Sequence, residues 1–277
     1  MAVRIVTGEQ RIAESVLKVS MVIAGRPKVG KTTLLTTMPE AETIVLDFEA
    51  GLNAVEGRWH GDSVSLRTWV DTLNIVCLLG GPDPAKRSDE NFSQAHYDHV
   101  ANIASGIDAT RYRNIFVDSI TDLTRIAMGW AKIQPDAFSP RTNRADLRGA
   151  YGLLGREVIG LLKHLQHAPG KNAIFVGGLD RRVDELAREV FELQTEGSKT
   201  GAELPYIADE ILTMSDFDYD AATGAWSHNL GKGAHRAFCC RSPNPWGLPA
   251  GDRSGRLELI EEPRLGRLIA KINQQKE

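Results

Sequence analysis

Residues Gly25-Arg26-Pro27-Lys28-Val29-Gly30-Lys31-Thr32 satisfy the pattern G-x-x-x-x-G-K-[ST] at every fixed position. Each residue type there has a chemical reason. Gly25 and Gly30 let the backbone curl so that successive N–H groups point at phosphate oxygens. Lys31 brings a cation to the β- and γ-phosphates, and the Thr32 hydroxyl suits a Mg²⁺ ligand. A helix beginning near Lys31, with Thr33 in its first turn, would aim its positive end at the same anions. The segment predicts a site for Mg²⁺ and ATP, or a closely related nucleoside triphosphate, formed by residues 25–33.

Two acidic positions could complete such a site. Asp118 ends the apolar run Asn114-Ile115-Phe116-Val117. A carboxylate at the end of a buried strand can hold Mg²⁺ directly or through water, and it can also simply cap the next helix. Hydrolysis further needs a carboxylate that orients a water in line with the γ-phosphate. Ser119, not a second acid, follows Asp118. The remaining acids are Asp47 and Glu49, at the end of another apolar run. Glu49 is the expected base and Lys31 its catalytic companion; Asp47 and a surface role for Glu49 are the alternatives.

The elements that must position these residues can be read from apolar periodicity. Strands are expected at Val19 to Ala24, Thr43 to Leu46, Asn114 to Asp118 and Asn172 to Val176, the last ended by Gly177-Gly178. Helices are expected at Lys31 to Met38, Thr68 to Leu79, Gln94 to Ser105 and Tyr151 to Gln166, with another after Asp118. Loops are expected at Gly81 to Asn91 and Gln134 to Arg144. Alternating strands and helices imply an α/β fold with a mostly parallel sheet flanked by helices. Beyond Ser215 the pattern changes to short strands with Gly-rich turns, then a short helix near Gly266 to Ile272. The expected organisation is an N-terminal segment (1–18), a P-loop ATPase core (19–214), and a small C-terminal β-hairpin extension with a helix (215–277).

Composition limits the function classes. The 277 residues are 42% hydrophobic and 25% charged, with net charge −3. A dedicated duplex-DNA binder is usually strongly basic, so any nucleic-acid contact must come from local clusters. No apolar run approaches the roughly 18–20 residues that span a bilayer, and residues 1–20 lack the apolar core of a secretory signal. A cytoplasmic protein without membrane contact is expected. Cys77, Cys239 and Cys240 form neither a disulfide framework nor a zinc spacing. His96, His99, His164 and His167 lack the acids of a metal set. Trp246, among Pro243, Pro245 and Pro249, reads as a packed loop anchor.

The order of these motifs carries a resemblance. A P-loop, then Asp47-Phe48-Glu49 ending the next strand, then Val117-Asp118-Ser119 resembles the RecA superfamily, in which the Glu is the catalytic base. From Val19 to Ile272 the chain is similar to phage-encoded RecA-like ATPases of the single-strand annealing and recombination group. The shared stretches include Tyr151-Gly152-x-Leu154-Gly155-Arg156-Glu157, Leu179-Asp180-Arg181-Arg182, Glu196-Gly197-Ser198-Lys199-Thr200-Gly201 and Arg241-Ser242-Pro243-Asn244-Pro245-Trp246-Gly247-Leu248-Pro249.

The resemblance implies a RecA-like core, single-stranded DNA as partner, and a homo-oligomer, ring or filament, with nucleotide between protomers. A single-strand-binding protein is a further possible partner. It places DNA-facing loops at Gln134 to Gly149, with Arg141, Arg144 and Arg148, and at Leu179 to Lys199, with Arg181, Arg182 and Arg188. Phe138 and Phe191 could stack on bases. Lys199, Arg241, Arg253 and Arg256 are candidates for a cation reaching the neighbouring subunit's nucleotide. RecA recombinases end the strand before the second loop with a Gln that senses the γ-phosphate; Gly178 stands at the matching position. That departure motivates a second expectation, a nucleotide-gated assembly module with little hydrolysis. The C-terminal region offers no lid of the kind small-molecule kinases use.

Overall fold

Ile23, Val45, Phe116 and Val176 sit in continuous apolar runs, the composition of strands covered on both faces. In the computed structural model these runs form the centre of one sheet. The structure describes residues 7–8, 18–104, 106–183, 189–229 and 233–274, without the side chains of Ser198 and Lys199. Most of the expected N-terminal segment, and Arg188, lie outside the described residues.

The strands are β1 (Ser20–Gly25), β2 (Thr43–Asp47), β3 (Asp62–Ser65), β4 (Asn114–Asp118), β5 (Asn172–Val183), β6 (Glu189–Gln194), β7 (Glu210–Asp220), β8 (Ala225–His228), β9 (His235–Cys239), β10 (Gly251–Asp252) and β11 (Ile260–Glu261). Their order is β11-β9-β7-β1-β5-β4-β2-β3, with β6 paired to β5, and β8 and β10 to β7. From β7 to β3 the neighbours run parallel. The described α-helices are α1 (Trp69–Gly80), α2 (Gln94–Ile103), α3 (Ile120–Ala131), α4 (Leu147–His167), α5 (Ser198–Ile207) and α6 (Leu265–Ile272).

Strand alternation splits the core in two. Val22, Leu46, Ile115, Val117 and Phe175 pack with helices α1 to α4. Met21, Ile23, Val45, Phe116 and Val176 face the opposite way, against Leu34, Leu35 and α6. The result is an α/β fold with a mostly parallel sheet flanked by helices, the class expected from the sequence. No described helix is long and apolar enough to cross a membrane.

Local chemistry explains where expectation and structure differ. The segment after the P-loop is a 3-10 helix, Thr32–Thr37, not an α-helix to Met38. Thr36 and Thr37 turn their hydroxyls onto the carbonyls of Thr33 and Leu34 at 2.8 and 2.7 Å, and Pro39 stops continuation. Helix α4 begins at Leu147, before Tyr151, because the Asp146 carboxylate caps the Arg148 N–H at 3.0 Å. The largest difference is β5. It continues through Gly177-Gly178 to Val183 and returns as β6, so a hairpin stands where a loop was expected. Helix α5 follows it.

Strand β7 binds β1 in parallel through Met214, while from Thr213 onward it pairs antiparallel with β9. The C-terminal strands are thus part of the same sheet as the P-loop strand.

β7 begins with a buried acid. Glu210 is 1% exposed. Burial, and then the neighbouring Asp252 carboxylate, push its pKa up to about 8. The unfolded chain ionises Glu210 near 4.5. Between those values the folded form retains a proton the unfolded form has released, so stability falls as pH rises. Glu210→Gln removes that penalty. Its stability gain over the wild type is expected to grow by about 1–3 kcal/mol between pH ~5 and ~8.5. Chemical denaturation at both pH values measures this, and a pH-independent difference would show that Glu210 does not hold the proton.

Candidate nucleotide site

The C-terminal ends of β1, β2 and β4 meet Gly178 of β5 at one edge of the sheet. There a cleft of about 810 Å³ is lined by Pro27, Lys28, Gly30, Lys31, Thr32, Thr33, Glu49, Asp118 and Gln194, among others. The P-loop geometry follows from its sequence. Gly25 cannot carry a side chain, because a Cβ would lie 2.8 Å from Val29 Cγ1 and 3.0 Å from the Met214 carbonyl. Val29 is buried in the core and anchors the loop from inside. Gly30 has φ +98°, and Lys28 at φ 64° also adopts the left-handed region. Arg26 is tied outward, its Nη2 donating to Asp216 Oδ2 at 2.5 Å.

Lys31 folds over its own loop. Its Nζ donates to the carbonyls of Gly25 and Arg26 at 2.9 and 3.1 Å. Burial lowers its pKa, opposed by Glu49 and Asp118. Because the following helix is a single short 3-10 segment, the positive groups at this loop are its N–H groups and Lys31 rather than a long helix dipole.

Asp118 is 2% exposed. Its Oδ2 accepts from the Thr32 hydroxyl at 2.6 Å. Burial raises its pKa to about 6, against the Thr32 hydrogen bond. Gly51 leaves room beside this pair. A Cβ there would sit 3.6 Å from Thr32 Oγ1 and 3.8 Å from Asp118 Oδ2. An all-oxygen pair with adjoining free space fits the ligand preference of Mg²⁺.

Glu49 stands exposed at the end of β2, one residue past Phe48. Burial of its carboxyl raises its pKa; a hydrogen bond with Ser119 opposes this and one with Asp122 adds to it. Asp122 is pulled the other way and also holds Arg125 at 2.9 Å. Ser119 therefore has two tasks: it caps α3 through the Asp122 N–H, and it faces Glu49. Asp47, the alternative base, turns back to accept from the Gly51 N–H at 3.3 Å. It shapes the turn that presents Glu49.

Thr121, Asp122 and Gln194 line the cleft and escaped the sequence reading. Gln194, the last residue of β6, pairs with Gly178 of β5, and its side chain packs over that glycine. Its carbonyl accepts from Thr121 Oγ1 at 2.8 Å, and the same hydroxyl accepts from the Gly178 N–H at 3.0 Å. The amide so lines the nucleotide cleft. The available signal for Gln194 was the apolar–polar alternation of Phe191 to Gln194, which a hairpin reading of the glycines would have paired with β5.

The basic residues divide into two groups. Arg181 is bound to Glu189 across the hairpin. Arg182 is bound to Asp180 at 3.3 Å and Glu192 at 3.4 Å. By contrast, Arg141, Arg144 and Arg148 are exposed and form no ion pair among the described residues. They lie beside exposed Leu147 and Tyr151 on the first turns of α4. Phe138 and Phe191 are packed inward, against the core and the C-terminal cluster, so the aromatic on open surface here is Tyr151.

Of the candidate intersubunit cations, Arg253 is held by Asp209 at 2.6 Å, and Arg256 donates to the Ile272 carbonyl at 2.5 Å. Asp209 is bonded to Ser20, so Arg253 sits at the start of β1, the end opposite the P-loop. Arg241 is exposed just after β9, and the Lys199 side chain is outside the described residues. Trp246 packs on Phe217, ring centroids 5.0 Å apart.

No curated protein matches this chain. Solved structures similar to it include that of the RadB recombinase, 14% identical, covering 83% of this chain and 84% of that one with a TM-score of 0.37. That likeness is one of overall outline and no more. Residues 17–254 match the model of the AAA domain family AAA_24. With its P-loop, its strand-ending carboxylates and a match over most of its length, the chain belongs to this family of AAA-type P-loop ATPase domains.

Proposed function

We propose that the protein is a Mg²⁺-dependent ATPase of RecA type that acts on single-stranded DNA in recombination or annealing, as a homo-oligomer. The observation that supports it most is the meeting of Lys31, Thr32, Glu49, Asp118 and Gln194 in one cleft. In this reading the loop N–H groups of residues 25–33 and Lys31 bind the triphosphate. Thr32 and Asp118 would hold Mg²⁺, which neutralises charge on the phosphate oxygens when bound. Glu49 orients a water in line with the γ-phosphate and takes its proton as the new P–O bond forms and the bond to ADP breaks. Gln194 presents an amide to the same phosphate. A phage setting and a single-strand-binding partner belong to the same proposal.

The DNA surface in this reading is the Arg141, Arg144 and Arg148 segment with Tyr151. These cations have no carboxylate to displace, whereas Arg181 and Arg182 would first have to leave theirs. Phosphate release from MgATP, with and without single-stranded DNA, tests the function. Stimulation by DNA is expected; absence of turnover in folded protein, with or without DNA, would sink the proposal. Arg144→Ala with Arg148→Ala should weaken oligonucleotide binding and reduce its log–log salt slope by about one to two. An unchanged affinity and slope would remove this surface.

One observation favours the second reading, a nucleotide-gated module with little hydrolysis. Burial, and then the Asp122 carboxyl beside Glu49, hold the Glu49 pKa above its ordinary value, which works against an ionised base there. Turnover well above that of Glu49→Gln would count against it.

A further inference from the structure

Arg236 belongs to β9, where it is the cross-strand partner of Asp216. That carboxylate is engaged by Arg26 of the P-loop at 2.5 Å. The Arg236 guanidinium lies instead against Gly30, also of the P-loop. A Cβ on Gly30 would come 2.5 Å from its Nη1 and 3.2 Å from its Cζ. Arg236 is exposed, and its side chain makes no hydrogen bond or ion pair with any described residue.

Arg141, Arg144 and Arg148 also lack a carboxylate partner among the described residues, but Arg236 lies against the P-loop. The hairpin arginines Arg181 and Arg182, and Arg253 near the start of β1, are all matched to carboxylates. A guanidinium is permanently charged and offers five N–H donors in a rigid fork suited to phosphate. Here that fork rests on Gly30 of the loop whose N–H groups would bind phosphate in the nucleotide reading. Its backbone is also fixed: β9 pairs with β7, and β7 pairs with the P-loop strand β1. Little reorganisation is then needed for the side chain to reach an anion in the loop.

We propose that Arg236 is a phosphate-binding residue acting in cis, contacting the triphosphate held by the P-loop of its own chain. The proposal rests on the nucleotide reading of the P-loop. It differs from the intersubunit role considered for Lys199, Arg241, Arg253 and Arg256, because the cation and the loop it serves share one sheet. Arg236 thereby gives the C-terminal strands a part in nucleotide binding.

The test uses Arg236→Ala and Arg236→Lys in the full chain. ATP and ADP affinities are measured by fluorescence titration with Mg²⁺, alongside kcat and KM. A charge-assisted hydrogen bond predicts that Arg236→Ala weakens ATP about 10–100-fold, with ADP affected less. Arg236→Lys should recover part of the loss, which a purely packing role would not produce. Melting temperatures should stay equal, since the side chain is exposed. Unchanged ATP affinity and turnover in Arg236→Ala would overturn the proposal.

A mixing experiment separates cis from trans. Lys31→Ala protomers keep Arg236, so they restore activity to Arg236→Ala protomers only if Arg236 reaches across an interface. No recovery is expected, and recovery would overturn the cis assignment. If Lys31→Ala binds ATP as the wild type does, the nucleotide reading fails, and this proposal with it.

Discussion

Lys31→Ala is expected to abolish nucleotide turnover and weaken triphosphate binding, with a loss of at least ~100-fold in kcat/KM, or about 3 kcal/mol. Lys31 is the residue that offsets the two carboxylates of the site. Its charge opposes the rise in pKa of both Asp118 and Glu49. Without it, an incoming triphosphate meets Asp118 and Glu49 with only the loop dipoles in compensation. The fold should survive, because the lysine nitrogen is bonded only to the Gly25 and Arg26 carbonyls of its own loop. Nucleotide titration, phosphate release and circular dichroism on one preparation check the result. A folded variant with wild-type turnover would remove the P-loop from the chemistry.

Glu49→Gln should give the opposite division: ATP binding retained and hydrolysis reduced by about 100-fold or more. General-base assistance contributes typically 10²–10⁴ in rate, and a glutamine can orient a water but cannot take its proton. Binding should hold or tighten slightly, since a negative charge leaves the neighbourhood of the phosphates. The Ser119 and Asp122 contacts can both be kept by an amide, so the local structure should persist. A single-turnover assay with bound ATP isolates the chemical step. Equal rates in the two proteins would move the base elsewhere. Asp47 would be a poor successor while it remains bonded to the Gly51 N–H.

Much of this site was legible in the sequence, for identifiable reasons. The P-loop and the strands around it depend on short-range rules: glycines where the chain curls, continuous apolar runs where it is buried, an acid where a strand ends. Glu49 was readable because a parallel sheet brings strand ends to one edge. The misreadings came from places where tertiary pairing decides. Gly177-Gly178 looks like a strand stop, yet Thr121 binds the Gly178 N–H and β6 supplies a ladder, so β5 continues. The helix after Thr32 is limited by hydroxyls competing for its own carbonyls. Arg181 and Arg182 were candidates for DNA contact with Glu189 among the acids offsetting them, and the hairpin sets Glu189 and Glu192 beside them. Arg236 could not have been singled out, because only the β7–β9 pairing carries it to Gly30.

The packing of Gln194 over Gly178 makes those two positions interdependent in any substitution. A methyl group on Gly178 would collide with Gln194 Oε1, and one on Gly177 would lie 2.8 Å from Ile120 Cγ2. An amide can occupy that corner from the returning strand only while the outgoing strand carries no side chain there. Exchanging the two residues one at a time passes through a crowded or an empty intermediate. Glycine at 178 is thus the vacancy that Gln194 requires, and a side chain at either position constrains what the other can carry.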